Sequence, residues 1–384
     1  MMWNHERKAP LGLYVHIPFC VRKCLYCDFL SGPASREERE AYCHRLRNEL
    51  TLWAEDERIR GRDVDTVFFG GGTPSLLEAE ELSLIMETIR RSFSLTEEAE
   101  VSLECNPGTV SREKLTAYRS LGVNRLSIGM QSMVEKELKA LGRIHRAGEF
   151  TKTVRWAREA GFDNINADLM SAIPGQTIES YRHTLSEVLL FHLEHISSYS
   201  LILEEGTPFY EKYQGEPPVD DKTDRMMYEM TEQMLSAGGY ERYEISNYAR
   251  PGRECRHNLK YWHRDEYVGA GLGAASFLTE QRLSNQRKMT AYATCLQKKQ
   301  LPVAEVEELT KQEAMAEFMY LGLRCMEGVS ERKFAVQFGV SVSEIYGDVV
   351  DRYKELGLLA RRGDRLMLTK RGIDVSNIVF ADFL

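Results

Sequence analysis

The chain has 384 residues, of which 43% are hydrophobic and 28% charged, a composition typical of a globular protein with one large domain and a small one. Its formal net charge of −8 argues against a protein that binds nucleic acid by neutralising phosphates. No run approaches the ~20 apolar residues of a membrane span, and no signal peptide is recognisable, so we expect a cytoplasmic protein with reduced cysteines.

The first predicted strand, 13–19, runs directly into a cysteine-rich loop. Three cysteines lie there with CxxxCxxC spacing: Cys20, Cys24 and Cys27. Thiolates are the preferred ligands of iron–sulfur clusters, and a [4Fe–4S] cubane normally takes four of them, so three would leave one iron open to a small molecule. The spacing also leaves open a structural zinc site with His16 or His44 as the fourth ligand.

From the first predicted strand onward, strands and helices alternate six times along the chain. The predicted strands are 13–19, 65–69, 100–104, 125–128, 164–169 and 195–203. The predicted helices between them are 35–57, with Ser35 and Glu38 as a capping box, 78–93, 111–121, a stretch ending at 160, and 177–191. Such alternation predicts parallel strands with helices outside the sheet.

Polar or glycine residues stand at the carboxyl ends of five successive strands: Cys20, Gly71, Glu104, Gln131 and Asp168. Active sites of (β/α) barrels are built from those ends, whereas a flat doubly wound sheet binds its ligand at one switch point. One site formed by five consecutive strands therefore favours a barrel.

The rest of the chain divides into three parts. A helix is predicted over 220–237, and 240–248 is either a seventh strand or irregular. Residues 251–276 have no clear period and are expected to be a loop region that covers the open side of the barrel. Beyond 301 we predict a small winged-helix-like α+β domain, which gives predicted domains of 1–250, 251–300 and 301–384.

The default function of a winged helix is DNA binding. Its second predicted helix, 341–356, however, is acidic and carries Glu344, Asp348, Asp351 and Glu355. A structural or docking role is therefore the simpler expectation.

The cysteine loop resembles that of the radical S-adenosylmethionine (SAM) superfamily, whose signature is CxxxCxΦC with an aromatic Φ, here Tyr26. The resemblance implies a [4Fe–4S] cluster on the three cysteines, SAM on the fourth iron, and a partial (β/α)6 barrel. From Tyr-Val-His-Ile-Pro-Phe-Cys20 onward, nearly the whole chain is similar to the oxygen-independent coproporphyrinogen III oxidases and to the related HemW-type haem chaperones.

The same resemblance implies a set of SAM-binding residues. The glycine-rich turn after the second strand matches the segment that contacts the SAM amino group, and glycines there also free backbone N–H groups for an anion. Arg143 is expected to pair with the SAM carboxylate in forked geometry. The complete implied set is Tyr14, Gly71, Gly72, Thr73, Glu104, Gln131, Arg143 and Asp168.

Two features separate the oxidases from the chaperones. The oxidases carry a fourth cysteine two positions after the third, and Phe29 stands there in this chain. His257 opens an HNxxYW sequence, which the chaperone branch associates with haem binding, and imidazole is a common axial ligand of haem iron. Cys255 and His263 are the alternative ligands, and a hydrogen-bonded loop histidine is the alternative role.

We therefore expect a haem chaperone with haem, a [4Fe–4S] cluster and SAM as its cofactors, which delivers haem to respiratory haemoproteins. The alternative is a SAM-dependent coproporphyrinogen III dehydrogenase that decarboxylates two propionates to vinyl groups. A third reading is a zinc-stabilised regulator with a DNA contact. No nucleic acid is expected as a partner, and the sequence leaves peripheral membrane contact and homodimer formation open.

Overall fold

The structure, a computed structural model, describes residues 9–384. The first eight residues, which belong to the predicted domain 1–250, lie outside the described residues. No helix in the part of the chain that is described has the length and apolar character needed to cross a bilayer.

Six parallel strands form the centre of the fold. They pair in chain order and are β1 (Leu11–Ile17), β2 (Asp63–Gly71), β3 (Ser94–Cys105), β4 (Arg125–Gln131), β5 (Ile165–Ser171) and β6 (His195–Ser200). The connecting helices are α1 (Arg36–Glu55), α2 (Ala79–Ser92), α3 (Arg112–Ser120), α4 (Glu135–Ala140), α5 (Ala147–Glu159) and α6 (Ile178–Leu189). The predicted partial (β/α)6 barrel is confirmed. β2 to β5 are longer than predicted, β1 begins and ends two residues earlier, and β6 ends three residues earlier.

Local sequence signals explain where the first helix begins. Ser35 accepts a hydrogen bond from the Glu38 backbone N–H at 3.2 Å, and the Glu38 carboxylate accepts from the Ser35 N–H at 2.7 Å. This reciprocal pair satisfies two backbone donors that the helix itself leaves unbonded, so the predicted capping box is present.

The barrel does not close on itself, because other strands add at both edges. After α7 (Pro208–Tyr213) and α8 (Asp221–Ala237), the short strands β7 (Glu241–Arg242) and β8 (Asn247–Ala249) extend the sheet antiparallel beyond β6. At the other edge, β9 (Tyr267–Ala270) pairs parallel to β1. β1 and β6 therefore do not meet, which leaves a partial barrel.

The prediction of an irregular cover over 251–276 is wrong. The segment from 251 to 308 contains α9 (Arg256–Trp262), β9, β10 (Ala275–Leu278), β11 (Gln281–Asn285), α10 (Met289–Gln297) and β12 (Val303–Glu308). β9 to β12 extend the barrel sheet in the order β12-β11-β10-β9-β1. These strands have only four to six residues, which is too short for a period to be read from the sequence.

Helix α9 lies against the inner face of the barrel at the amino ends of the strands, and we call α9 with Gly12, Thr66 and Glu100 the barrel floor. Gly12 makes room for it: a Cβ atom there would lie 2.9 Å from Lys260 Cδ and 3.2 Å from His257 Cε1. Lys260 Nζ donates to the Pro10 carbonyl at 2.9 Å. The floor thus closes the end of the barrel opposite the cysteine loop.

The C-terminal part has its own hydrophobic core and a three-stranded antiparallel sheet. Its elements are α11 (Lys311–Gly322), β13 (Val329–Ser330), α12 (Glu331–Phe338), α13 (Val342–Glu355), β14 (Leu359–Arg362), β15 (Arg365–Leu368), α14 (Lys370–Asp374) and α15 (Ser376–Ala381). Helices followed by a small sheet agree with the expected winged-helix-like α+β domain. The limits 1–250, 251–300 and 301–384 stay a prediction.

Candidate functional site

The cysteine loop opens into a cavity of about 380 Å³ at the carboxyl ends of the strands. All six strands of the partial barrel contribute to its wall, directly or through the loops that follow them, and we call the residues lining it the barrel mouth. Cys20, Cys24 and Cys27 all line it and are half-buried. The structure therefore brings the three predicted cluster ligands to one cavity.

Backbone hydrogen bonds fix the base of the cysteine loop. The Cys20 N–H donates to the Gly32 carbonyl at 2.9 Å, and the Gly32 N–H donates to the Pro18 carbonyl at 3.0 Å. His16 supports the same loop, because its Nε2 is hydrogen-bonded to the Leu30 carbonyl at 3.0 Å. His16 therefore holds the loop from below and does not point at the thiols.

The thiols fit a cubane cluster better than a single zinc ion. Within residues 9–384, no three His, Cys, Asp or Glu side chains have the spacing of ligands to one metal ion. A cubane takes each thiolate at a different iron, so its ligands lie farther apart than those of one zinc. His44, the other zinc candidate, lines a separate cavity beside Glu40 and Glu78.

Two side chains donate hydrogen bonds to the cysteine sulfurs. Thr73 Oγ1 lies 3.4 Å from Cys20 Sγ, and Arg143 Nη1 lies 3.6 Å from Cys24 Sγ. Burial raises the pKa of Cys27 to about 11, which favours the protonated thiol, and a bound metal would favour the thiolate instead. Donors of this kind stabilise thiolates that bind a cluster.

The glycine-rich turn packs against the cysteine loop through its backbone. A Cβ atom on Gly72 would lie 2.6 Å from the Phe19 carbonyl oxygen, so only glycine fits there. The N–H groups of Gly71, Gly72 and Thr73 donate to Glu104, Ile17 and Phe19 respectively. The expectation of free N–H groups for an anion is therefore wrong. The carbonyl groups of this turn are the backbone atoms that could accept hydrogen bonds from the SAM ammonium group.

Acidic and amide side chains line the inner wall of the mouth. Burial, and then the nearby charge of Asp168, raise the pKa of Glu104 to about 8. Gln131 adopts a positive φ of 58°, and its Oε1 is buried without a hydrogen-bond partner in the described part of the chain. An acceptor left unbonded beside a cavity fits a bound polar ligand, because such groups are otherwise satisfied.

Tyr14 does not line the mouth. It lines a second cavity of about 200 Å³, which lies deeper in the barrel and shares Glu104, Ser127, Asp168 and Tyr199 with the first. Its hydroxyl is hydrogen-bonded to His16 Nδ1 at 3.0 Å, and burial raises its pKa. Of the eight predicted SAM residues, the other seven lie at the mouth and Tyr14 lies below them.

His257 is completely buried in the barrel floor. Its Nδ1 is hydrogen-bonded to Thr66 Oγ1 and its Nε2 to Tyr261 Oη, both at 2.8 Å, and the ring stacks beside Phe68. Burial lowers its pKa to about 3. Both ring nitrogens are therefore occupied, and axial ligation of haem by His257 stays a prediction that requires α9 to move.

The two alternative haem ligands lie in different surroundings. Cys255 is buried, with its thiol 3.7 Å from Glu100 Oε1. His263 is half-exposed and lies 3.1 Å from a carboxylate oxygen of Glu327. Of the two, only His263 is open to a ligand in this conformation.

Sequence reasoning missed Asn106 and Tyr199, which both line the mouth. Asn106 directly follows β3, the strand that carries Glu104, so its place after a strand end was the available signal. Tyr199 lies within β6. It was missed because the predicted site included residues from the first five strands only.

Comparison with known proteins identifies the family and the fold. The sequence profile of the Radical SAM superfamily matches residues 14–188, and that of the HemN C-terminal domain matches residues 309–375. The haem chaperone HemW of Bacillus subtilis is 36% identical over 376 residues, which is 97% of this chain and 98% of that protein. HemW of Escherichia coli is 40% identical over 273 residues, 70% of this chain and 71% of that protein.

A solved structure has the same overall fold. The radical SAM enzyme coproporphyrinogen III oxidase (HemN) of Escherichia coli superposes with a TM-score of 0.86. The alignment covers 98% of this chain and 91% of that one at 22% sequence identity. At this identity the likeness establishes the fold only. The family assignment depends on the HemW relatives described above.

Proposed function

We propose, because the chain belongs to the HemW haem chaperone family of the radical SAM superfamily, that it binds haem and passes it to haem-requiring proteins. The observation that carries the proposal is the match to a haem chaperone along 97% of this chain and 98% of that relative. A match of this extent leaves no large part of either protein without a counterpart.

The barrel mouth would hold a [4Fe–4S] cluster and SAM. A cluster bound there supplies an electron and an open iron for a chelating ligand. The chain contributes the thiolates of Cys20, Cys24 and Cys27 and the hydrogen bonds that hold their loop. Gln131 Oε1, which has no partner among residues 9–384, supplies an acceptor for a polar group of the nucleotide.

Glu104 and Asp168 suit the binding of a ligand that carries both hydroxyl groups and positive charge. Both line the mouth, and burial raises the pKa of each, most clearly that of Glu104. A bound cation or a sulfonium group would lower these pKa values again and be held by the resulting carboxylates. This arrangement supports their proposed role in SAM binding.

The competing function is oxidative decarboxylation of coproporphyrinogen III. The oxidase-like fold is compatible with it, but the position of the oxidases' fourth cysteine is occupied by Phe29. Phe29 lies at the mouth with 59% of its surface exposed, so it offers an apolar contact in place of a thiol. The chaperone function agrees better with this residue.

One experiment separates the two functions. Anaerobically reconstituted protein is mixed with SAM, a low-potential reductant and coproporphyrinogen III, and the same preparation is titrated with haem. The proposal predicts saturable haem binding and no protoporphyrinogen IX. Steady formation of protoporphyrinogen IX that is lost in Cys24→Ser would establish the oxidase instead.

The partners of the chain follow from the same proposal. Respiratory haemoproteins would receive the haem. Peripheral membrane contact and homodimer formation are separate expectations from the sequence, which this proposal neither requires nor excludes. Nucleic acid is not proposed as a partner, because two arginines of the winged-helix-like part are paired with acids. Arg361 lies 2.8 Å from Glu331, and Arg365 lies 3.1 Å from Glu327.

A further inference from the structure

A chain of hydrogen bonds links two of the three cysteine sulfurs across the barrel mouth. We propose that Arg143, Asn106 and Thr73 act together on the cluster: Arg143 and Thr73 donate to its thiolates and raise its reduction potential, and Asn106 holds the two donors in place. The inference rests on the cluster of the proposed function and is independent of haem.

The hydrogen bonds that link the two sulfurs are short and form a continuous series. Arg143 Nη1 donates to Cys24 Sγ at 3.6 Å, and Arg143 Nη2 donates to Asn106 Oδ1 at 2.5 Å. Asn106 Nδ2 donates to Thr73 Oγ1 at 2.9 Å, which leaves the Thr73 hydroxyl proton to point at Cys20 Sγ, 3.4 Å away. The three side chains therefore connect Cys24 to Cys20, with a donor of Arg143 directed at one sulfur and the hydroxyl of Thr73 at the other.

The guanidinium group of Arg143 is already engaged within the protein. Besides Cys24 and Asn106, it donates through Nη2 to the Gly129 carbonyl at 3.0 Å and through Nε to His145 Nδ1 at 3.4 Å. A guanidinium has five N–H groups, and four of them have acceptors here. The forked pair with a SAM carboxylate predicted from the sequence would require Arg143 to give up one of these bonds, whereas the contact with Cys24 is already formed.

The physical effect of such donors on a cluster has a definite sign. Reduction adds one negative charge to the cluster and its thiolates. A fixed cation and hydrogen-bond donors directed at the sulfurs stabilise that added charge more than they stabilise the oxidised form. The effect is strong in a half-buried site, where water screens little of it. Arg143 should therefore raise the reduction potential, and Thr73 should raise it by a smaller amount.

The test is the midpoint potential of the reconstituted cluster, measured without SAM by a redox titration followed by electron paramagnetic resonance (EPR). We expect Arg143→Gln to lower the potential by at least the equivalent of tenfold in the reduction equilibrium, which is 59 mV for a one-electron couple. Arg143→Lys keeps the charge but cannot reach Cys24 and Asn106 together. Its midpoint potential should therefore lie between those of the unmodified protein and of Arg143→Gln.

A matched control separates a hydrogen bond to sulfur from simple charge. Lys23 is an exposed cation next to Cys24 that makes no side-chain hydrogen bond among residues 9–384, so Lys23→Gln should shift the potential much less than Arg143→Gln. Thr73→Val, which removes only the hydroxyl donor, should shift the potential in the same direction as Arg143→Gln. If Arg143→Gln assembles no cluster, the potential of Thr73→Val tests whether hydrogen bonds to sulfur raise the potential.

Two results would overturn the inference. The first is an unchanged SAM-free potential in Arg143→Lys and Thr73→Val together with weaker SAM binding, which would make Arg143 a ligand of SAM alone. The second is an equal shift in Lys23→Gln and Arg143→Gln. Zinc in place of iron in the unmodified protein would instead refute the proposed function itself, so the two failures are distinguishable.

Discussion

The two ends of the barrel differ in how the residues of their two motifs are engaged, although the floor also holds one buried donor, Trp262 Nε1, without a partner among residues 9–384. At the floor, both nitrogens of the His257 ring have partners at 2.8 Å, and no part of the side chain is exposed. At the mouth, three thiols and the orphaned Gln131 Oε1 face a cavity of about 380 Å³. A folded protein normally pairs its buried polar groups, so the open end is where ligand chemistry is expected.

This difference changes how the two motifs of the sequence are understood. The cysteine motif lies at the open end, beside the cavity, and its role as a cluster site stays a prediction. The HNxxYW motif lies at an end built for packing, although its residue types suggested a ligand site. Variants at the two ends should therefore fail in different ways.

The largest effect is expected from Gly72→Ala at the mouth. The new Cβ would meet the Phe19 backbone oxygen at 2.6 Å, and backbone atoms of two packed segments cannot move aside easily. We expect a loss of about 3 kcal/mol in the free energy of unfolding and failure of cluster assembly, measured by urea titration and by iron and sulfide content.

The matched change at the floor is Gly12→Ala. Its Cβ would lie 2.9 Å from Cδ of Lys260, a flexible side chain that can shift. We expect a smaller loss of about 1 kcal/mol and normal cluster content. If Gly12→Ala were the one to abolish cluster assembly, the distinction between the two ends would be broken.

His257→Ala should lower the free energy of unfolding about as much as Gly72→Ala does, but without affecting the cluster. The substitution leaves a cavity and removes partners from Thr66 and Tyr261, so the free energy of unfolding should fall by about 3 kcal/mol. The cluster absorbance should be unchanged. His263→Ala, at a half-exposed side chain, should cost no more than about 0.5 kcal/mol and serves as the control.

Haem titration of His257→Ala then sharpens the comparison. If the floor is structural, haem should bind this variant with unchanged axial ligation in its absorption spectrum. A changed ligation spectrum with unchanged stability would instead establish His257 as a haem ligand and show that α9 leaves the floor.

The last comparison is the pH dependence of stability, where the two ends should act in opposite directions. The carboxyl pKa of Glu104 rises from 4.5 to about 8 on folding. The folded state then holds more protons than the unfolded state between these values, so Glu104 lowers stability as pH rises through that window. The imidazole pKa of His257 falls from 6.5 to about 3, so His257 lowers stability as pH falls through that window.

Urea titrations of the cluster-free protein across pH check both contributions. Glu104→Gln should flatten the decline above pH 4.5, and His257→Ala should flatten the decline below pH 6.5. Unchanged slopes in both variants would contradict the burial on which these shifts depend.

The sequence predicted the six strand–helix units and the strand ends that form the mouth, because long amphipathic helices and buried strands leave clear periods. It did not predict α9 to β12. Their strands are short, and the close approach of β9 to β10 depends on Gly269 within β9, where a Cβ would lie 2.0 Å from the Ala275 carbonyl oxygen. Such a close approach of two backbones leaves no periodic signal.

The detailed contacts of the site were also beyond the sequence. That Arg143 reaches Cys24 and Asn106 depends on how the loop after α4 folds against the ends of β1 and β3, which lie far from it in sequence. The glycine-rich turn was correctly placed, but its N–H groups are bonded inside the protein, a fact that the packing of β2 against β1 and β3 determines.

The most direct test of the account is the EPR spectrum of the reduced, anaerobically reconstituted protein before and after SAM is added. Three thiolates at the mouth should give a reduced [4Fe–4S] signal that SAM alters, because one iron is open to it, and Cys24→Ser should give no signal. A signal that SAM leaves unchanged, or a preparation that holds zinc in place of iron, would contradict the account.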